Sequence, residues 1–440
     1  MINSINRKIK KMEIKDKPKF FIAISIFLIT YLFIIIDLFD RTLVALVGAC
    51  LMILINIEDQ KTAVEEIDFN TIGLLVGMMI LVMITKRSGV FEYIAIKLVK
   101  IAKGSPKKIM IYLSLATGLL SAILDNVTTV LLIIPITLNI SKELNINPIP
   151  LIITEVFCSN VGGTGTLIGD PPNIIIGSAV EELTFNKFII NNGPFVLICI
   201  VVCVFLFTLR HIKELKTTKE LKERIMEIDE TELIKDKILL WKCLFVVIVV
   251  FVAFMLHSTL HLESATIALT GAVFLLLISK IEVEEILLEV EWNTILFFVG
   301  LFILVGGLKS VGAIKMLAEF VLDVTKGKQI PTTFAILWVS AIASAFIDNI
   351  PFVTTMVPLI KILGENPNIN LTPLWWALSL GACLGGNGTI VGASANVVSC
   401  GLAKKQGYKI TFKKFLYESF PMMFLTISMA TLYLYLAYLL

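Results

Sequence analysis

The sequence predicts an all-α polytopic membrane protein. We expect two inverted repeats with about ten transmembrane helices, two re-entrant hairpins and two broken helices. Three observations support this prediction: an apolar composition, a repeat at one constant offset, and paired glycine-rich interruptions of apolar segments. Of the 440 residues, 57% are hydrophobic and 17% are charged, whereas soluble domains are about half apolar and a quarter charged. This composition argues against a soluble enzyme, and a net charge of +3 gives no indication of nucleic-acid binding.

The order of apolar and charged stretches predicts four segments. Residues 1–19 form a basic tail without the apolar core of a cleavable signal peptide. Apolar runs between 20 and 210 form a first membrane repeat, and those between 239 and 440 form a second. The charged stretch 211–238, rich in Lys and Glu, is predicted to be a solvated cytoplasmic linker. If the hairpins do not cross the membrane, each half has an odd number of crossings, so the second half is inverted.

The repeat has one constant offset of 223 residues. Its polar matches include Asp125-Asn126 with Asp348-Asn349, Gly162-Gly163 with Gly385-Gly386, Pro135 with Pro358, and Asn173 with Asn396. A chance alignment of apolar sequence would match Leu, Ile and Val, but not Asp, Asn, Gly and Pro. The pattern therefore indicates a gene duplication, and two-fold repeats in a membrane chain are typical of secondary transporters.

One pair of repeated segments is too rich in Gly and Pro to form a regular helix. The first segment is GGTGTLIGDPPN at 162–173, and its partner at 385–396 is GGNGTIVGASAN. Gly and Pro cost about 1 and 3 kcal/mol in a helix interior. Non-helical backbone at membrane depth is stable only where protein buries it or water solvates it. We therefore expect two broken helices that meet around a polar cavity.

The other pair, residues 120–135 and 343–358, contains an Asp-Asn step between two apolar runs. No charged loop separates these runs, which favours a re-entrant hairpin whose tip carries Asp-Asn, with Asn126 or Asn349 near the cap of the second helix. The alternative is two ordinary spanning helices joined by a short polar turn.

The repeat cores contain several carboxylates and no Lys or Arg in the same segments. This balance favours the binding of Na⁺ or H⁺, the only cofactor-like component that we expect. Helix N-termini and side-chain amides can also hold an anion beside the cation. The candidate ion- and substrate-binding residues are Asp125, Asn126, Thr128, Thr164, Thr166, Asp170, Asn173, Asp348, Asn349, Asn387, Thr389, Ser394 and Asn396. No other metal site and no catalytic residue is predicted.

Other interpretations remain open for some polar residues. Asp170 precedes Pro171-Pro172, so it is either a ligand or the N-cap of a helix that restarts there. Glu155 is either functional or hydrogen-bonded to a neighbouring helix. His257 and His261 have a spacing that could bind a metal on a helix, but a solvated interfacial pair is favoured.

Four motifs show a resemblance to a known family that covers residues from about 20 to 440. They are LDNVTTVLLIIP, SNVGGTGTLIGDPPNIII, FIDNIPF and WALSLGACLGGNGTIVGASANVV. They resemble the pink-eyed-dilution (P) protein family and its bacterial relatives, which are grouped with arsenite permeases and NhaD-like antiporters in the ion-transporter superfamily. The resemblance implies ten membrane helices with two re-entrant hairpins, a homodimer, and elevator-like movement of a transport part.

The hairpin tips depart from one branch of that superfamily. Sodium-coupled dicarboxylate relatives carry Ser-Asn-Thr there, whereas this sequence has Asp125-Asn126-Val127 and Asp348-Asn349-Ile350. The departure favours coupling through titratable carboxylates.

The sequence thus predicts a secondary active transporter in the inner or plasma membrane, coupled to Na⁺ or H⁺. Its expected partners are a small ion, the lipid bilayer and a second copy of the chain. The resemblance favours export or exchange of a small inorganic anion or oxyanion such as arsenite. The alternatives are a Na⁺/H⁺ antiporter, an anion channel, and a Na⁺-coupled carboxylate carrier. An enzyme is not expected, because the broken segments hold no catalytic arrangement of His, Cys or metal ligands.

Overall fold

The computed structural model describes residues 17–36, 39–227 and 229–440, and in these ranges the chain is helical with no strand. Most of the predicted basic tail lies outside the described residues. Among the described residues, seven helices are long and apolar enough to cross a membrane, namely Lys17–Ile36, Phe69–Arg87, Phe185–His211, Lys237–His257, Trp292–Ser310, Gln329–Phe346 and Phe412–Leu439. Together with four shorter apolar helices of 10–17 residues, they confirm the predicted all-α polytopic membrane protein.

The helices of the two halves follow each other in the same order. The first half contains α1 (Lys17–Ile36), α2 (Arg41–Leu54), α3 (Gln60–Glu65), α4 (Phe69–Arg87), α5 (Val90–Ile101), α6 (Pro106–Ser121), α7 (Asn126–Glu143), α8 (Ile149–Gly163), α9 (Pro171–Ala179) and α10 (Phe185–His211). A short α11 (Lys219–Met226) and a 3₁₀ turn at Glu230–Leu233 follow. The second half contains α12 (Lys237–Leu260), α13 (Ser264–Ser279), α14 (Val283–Glu289), α15 (Trp292–Ser310), α16 (Ala313–Thr325), α17 (Gln329–Phe346), α18 (Asn349–Leu363), α19 (Leu371–Gly385), α20 (Ser394–Lys405) and α21 (Phe412–Leu434).

The sequence repeat is also a repeat of helix positions. The starts of α7 and α18 are 223 residues apart, as are those of α9 and α20, and those of α4 and α15. Similar boundary signals explain this agreement. Asp125 accepts a hydrogen bond from the main chain of Thr128 at the start of α7, and Asp348 accepts one from Ile350 at the start of α18.

The described residues form two compact units, and those of the first lie within 17–69, 291–332 and 354–372. Its core includes the packing of α2 against α15. A Cβ atom at Gly300 would lie 2.8 Å from the main chain of Ala45, and the Thr42 hydroxyl donates to the Asn293 carbonyl at 2.9 Å. Small residues thus allow the two backbones to approach closely, as they do in many membrane proteins.

The second unit consists of residues 70–290, 333–353 and 373–440. Here α4 packs against α13, and a Cβ atom at Gly77 would lie 2.6 Å from the main chain of Ala268. Gly77 and Ala268 are the repeat counterparts of Gly300 and Ala45. Inside each unit, therefore, a helix from one half packs against a helix from the other half.

Candidate ion-binding site

Two interrupted helices lie in the second unit, at the places that the Gly-rich segments predict. The helix α8 ends at Gly163 and α9 begins at Pro171, while α19 ends at Gly385 and α20 begins at Ser394. Only two 3₁₀ turns, Gly386–Gly388 and Ile390–Gly392, occupy the second gap. The prediction of two broken helices is thus confirmed.

One asparagine closes each interrupted segment. The Asn173 amide donates to the carbonyl of Thr166 at 2.8 Å and also to those of Gly163 and Thr164. Its repeat counterpart Asn396 donates to Thr389 and Gly386, both at 2.8 Å. These bonds provide hydrogen-bond donors for buried carbonyls of the interrupted segments.

A threonine ties each interrupted segment to the main chain just before an Asp-Asn step. The Thr166 hydroxyl donates to the Ala122 carbonyl at 2.6 Å, and the Thr389 hydroxyl donates to the Ala345 carbonyl at 2.5 Å. Ala122 lies between α6 and α7, and Ala345 lies near the end of α17. The Asp-Asn steps are therefore held against the two helix breaks.

Asp170 is the point where the two Asp-Asn steps converge. Its Oδ1 atom accepts hydrogen bonds from the side-chain amides of Asn126 at 3.2 Å and Asn349 at 3.3 Å. Asp170 occupies the N-cap position of α9, as one of the two alternatives predicts, but its side chain makes no capping hydrogen bond to that helix. The residues after it, Pro171 and Pro172, have no N–H to donate, so the carboxylate is available to the asparagines.

Asn160 of α8 connects the same group to the second break. Its Oδ1 accepts from Asn126 at 3.1 Å, and its Nδ2 donates to Oδ1 of Asn387 at 3.0 Å and of Asn396 at 2.9 Å. Residues of both halves therefore form one buried hydrogen-bonded network. We call it the polar core: Asn126, Asn160, Asp170, Asn349, Asn387 and Asn396.

Two further carboxylates border the polar core. Asp348 accepts from the Ser394 hydroxyl at 2.9 Å and from the main chain of Ile350. Asp125 accepts from both the main chain and the hydroxyl of Thr128. No Lys or Arg side chain of the described residues pairs with Asp125 or Asp170, so this region has acidic groups without a neighbouring cation.

Two atoms of the polar core are buried without a hydrogen-bond partner among the described residues. They are Oδ2 of Asp170, an acceptor, and Nδ2 of Asn387, a donor. The network fixes the orientation of the Asn387 amide, because Asn160 donates to its oxygen and leaves its nitrogen free. Buried polar groups are rarely left unpaired, so these two atoms are candidate contacts for a ligand.

The structure brings most of the predicted residues together. All candidates except Asp125 and Thr128 are buried. The Thr164 hydroxyl points instead to its own helix, where it donates to the Asn160 carbonyl at 2.8 Å. Glu155 accepts from the Thr137 hydroxyl at 2.8 Å, as the alternative of a bond to a neighbouring helix predicts.

A family profile described as "Citrate transporter" (CitMHS) matches residues 31–381. The chain belongs to the CitMHS family. It is therefore a multi-pass membrane transporter, not an enzyme.

Several known proteins are similar to this CitMHS protein over most of its length. A protein of Mycobacterium bovis described as an uncharacterized transporter is 43% identical over 425 residues, which cover 95% of this chain and 98% of the relative. A "46 kDa membrane protein" of Mycobacterium leprae is 43% identical, over 95% of this chain and 99% of its own length. The P protein of Homo sapiens is 36% identical over 95% of this chain and 60% of its own length. The resemblance to the P protein family is thus confirmed.

Sequence reasoning missed Asn160, the residue that joins the two halves of the CitMHS polar core. It also missed Ser379, whose hydroxyl donates to Oδ1 of Asn173 at 2.7 Å. A signal for Asn160 was present, because an Asn in an apolar run directly before Gly162-Gly163 needs a buried partner. No comparable signal marks Ser379.

Proposed function

We propose that this CitMHS protein is a secondary active transporter whose polar core binds a coupling Na⁺ or H⁺ together with a small anion or oxyanion, such as arsenite. One observation carries the proposal. The same buried network contains an unpaired carboxylate oxygen, Oδ2 of Asp170, and an unpaired amide donor, Nδ2 of Asn387. The first atom is suited to a cation, and the second is suited to an oxygen of an anion.

The cation is assigned to the Asp170 side of the polar core. Asp170 is fully buried, and its Oδ1 is already occupied by two amide donors. A buried carboxylate without a cation is costly in the membrane. Binding of Na⁺ or H⁺ at Oδ2 removes this cost, and Asp348 supplies a second carboxylate in the same unit.

The anion is assigned to the Asn387 side. Asn387 lies in the interrupted segment between α19 and α20, where several main-chain groups have no helical partner. An unneutralised Asp170 would repel an anion, by about 1 to 4 kcal/mol for charges 4 Å apart. Each ion therefore strengthens the binding of the other, which is the thermodynamic basis of coupled transport.

A Na⁺/H⁺ antiporter is the second candidate. It is favoured by the presence of three acidic side chains, Asp125, Asp170 and Asp348, in a region where no described Lys or Arg pairs with the first two. In that case Na⁺ and H⁺ compete for the same carboxylates and no anion is carried. A carboxylate carrier, as the family description suggests, and an anion channel are the remaining outcomes of the test.

Two re-entrant hairpins are part of the same proposal. The Asp-Asn steps between α6 and α7 and between α17 and α18 are proposed to be the tips of re-entrant hairpins. Each tip is tied to a broken helix by a threonine, Thr166 or Thr389.

We further propose that the protein works as a homodimer.

Flux through purified protein in proteoliposomes tests the proposal. We expect a Na⁺ or pH gradient to drive uptake of arsenite, and arsenite to move the coupling ion in a fixed ratio. Na⁺-driven pH change without arsenite dependence would support the antiporter, and current without coupling would support a channel. Citrate-dependent flux would support the carboxylate carrier.

Two variants test the assigned carboxylates. Asp170→Asn and Asp348→Asn should abolish cation-coupled flux and leave the protein folded, because an amide has nearly the shape of the carboxylate. The Asp170 variant can place its new NH₂ at the position of Oδ2, which has no hydrogen-bond partner among the described residues. Asp229→Asn, which changes an exposed linker residue, is the matched control. Coupled flux at the wild-type level in either core variant would remove that residue from the mechanism.

A further inference from the structure

A buried carboxylate of the first unit is separate from the polar core. Glu58 lies in the connection between α2 and α3, and the residue is only 5% exposed. Both of its carboxylate oxygens are buried, and neither has a hydrogen-bond partner among the described residues. A buried carboxylate with no donor is expensive in its charged form.

The side chain lies against the end of α15. A Cβ atom at Gly306 would lie 2.9 Å from Oε2 of Glu58 and 2.8 Å from Cγ of Glu66. The two acidic side chains are therefore close to the same glycine. Any larger residue at position 306 would displace one of them.

Among the described residues, the charged side chains around Glu58 carry more negative than positive charge. Glu66, Asp59 and Lys309 are the charged groups that act on it. The ammonium of Lys309 is already bound to Glu66 at 2.6 Å, and Lys19 donates to the main-chain oxygen of Asn56 at 2.7 Å. No described cation is left to pair directly with Glu58.

The repeat shows that this arrangement belongs to one unit only. The counterparts of Glu58 and Gly306 in the other half are Ile281 and Met83. Glu289, the counterpart of Glu66, also has a cationic partner, but that partner is Arg87, at 2.6 Å, and not the counterpart of Lys309. The buried acid and the glycine that makes space for it therefore occur together, and only in this half.

We propose that Glu58 is a proton-binding site of the first unit, distinct from the polar core, and that its protonated form holds the α2–α3 connection against Gly306. The proton neutralises the carboxylate and makes burial next to Glu66 favourable. When the proton leaves, the charged group must move toward water or toward Lys309, which loosens the connection between the two helices.

The titration of Glu58 gives the pH range of this change. Burial, with the negative charges of Glu66 and Asp59, raises the pKa of Glu58 from 4.5 to about 7, against the opposing effect of Lys309. Because the folded state binds the proton more tightly than the unfolded state does, the stabilisation is complete below pH 4.5 and is lost as the pH rises to about 7.

Thermal unfolding of the purified full-length protein between pH 4.5 and 8.5 tests the proposal without any transport assay. We expect the melting temperature of the wild type to fall across this range relative to that of Glu58→Gln, which mimics the protonated acid. Glu65→Gln, at an exposed glutamate of α3, should behave as the wild type. Superimposable pH profiles of the wild type and Glu58→Gln would overturn the proposal.

Infrared difference spectroscopy provides a readout that a purely structural role would not affect. The wild type should show a protonated carboxyl band that disappears with a midpoint near neutral pH and that Glu58→Gln lacks, whereas a band from Asp170 would be common to both proteins. In Glu66→Gln the repulsion is removed and Lys309 becomes available, so the midpoint should fall by about one pH unit or more. An unchanged midpoint in Glu66→Gln, or a wild type without the band, would also contradict the assignment.

Discussion

Uncharged asparagines hold the polar core of this CitMHS protein together. A side-chain amide donates and accepts at once, so Asn160 can accept from Asn126 while it donates to Asn387 and Asn396. A carboxylate at position 160 could only accept, and an alkyl group could do neither. The amides thus connect the two halves without adding charge to a region that already contains Asp170.

The first residue-scale prediction concerns Asn160→Ala. This change leaves three buried groups, on Asn126, Asn387 and Asn396, without one of their partners. Each unsatisfied group costs about 1–3 kcal/mol, so we expect the free energy of unfolding to fall by about 3 kcal/mol or more. Asn368→Ala, on the exposed loop after α18, is the matched control. Melting temperatures measured in detergent check this prediction, and equal values for the two variants would contradict it.

The chemistry of the candidate site was predictable at some residues and not at others. Asp170, Asn126 and Asn349 stood out because polar residues in apolar runs need a reason to be there. The sequence could not decide between ligand and cap for Asp170, because both depend on which side chains come near it. The asparagines of the two Asp-Asn steps reach it from segments that are 44 and 179 residues away, and only the folded chain shows this.

At the scale of elements, close backbone approaches fix the helices that carry the polar core. A Cβ atom at Gly162 of α8 would lie 1.9 Å from the carbonyl oxygen of Gly118 in α6. The corresponding approach in the other half is 2.5 Å, between Gly385 of α19 and the oxygen of Ala341 in α17. Side chains cannot relieve such contacts, because the obstacle is backbone.

Gly162→Ala should therefore destabilise the protein strongly, by about 3 kcal/mol or more. Gly401→Ala provides the control, since a Cβ atom there has no neighbour within 4 Å and the residue lies inside α20. For this variant we expect no loss, and a gain of up to about 1 kcal/mol from helix propensity. Size-exclusion profiles after heating would distinguish the two, and a wild-type profile for Gly162→Ala would refute the tight approach.

The broken helices were the most predictable elements. Their Gly and Pro content excludes a continuous helix on local grounds, so no tertiary information was needed. The same reasoning placed helix starts near Asp125 and Asp348. It could not identify the helices that pack together, because the pairing of α2 with α15 and of α4 with α13 joins residues more than 190 positions apart.

For the whole molecule, each unit contains helices of both halves. In the first unit α2 packs on α15, and in the second unit α4 packs on α13. Neither half can therefore complete a unit alone. The segment boundaries at 210 and 239 remain predictions, but the repeat of helix positions agrees with a duplication.

We expect the chain to tolerate division between α11 and Glu230–Leu233. The two parts, expressed together, should assemble and copurify after extraction into detergent, whereas either part alone should aggregate or be degraded. The outcome follows from the apolar faces of α2 and α4, whose partners lie in the other part. A monodisperse first part without its partner would show that the halves fold independently.

The asparagine at each helix break has one more consequence. Asn173 and Asn396 close their loops with hydrogen bonds from the protein itself, so the arriving ion does not have to order the loops. Affinity is then little reduced by lost conformational entropy. A preorganised binding site of this kind can bind and release an ion quickly. Larger rearrangements elsewhere then limit the rate of the transport cycle.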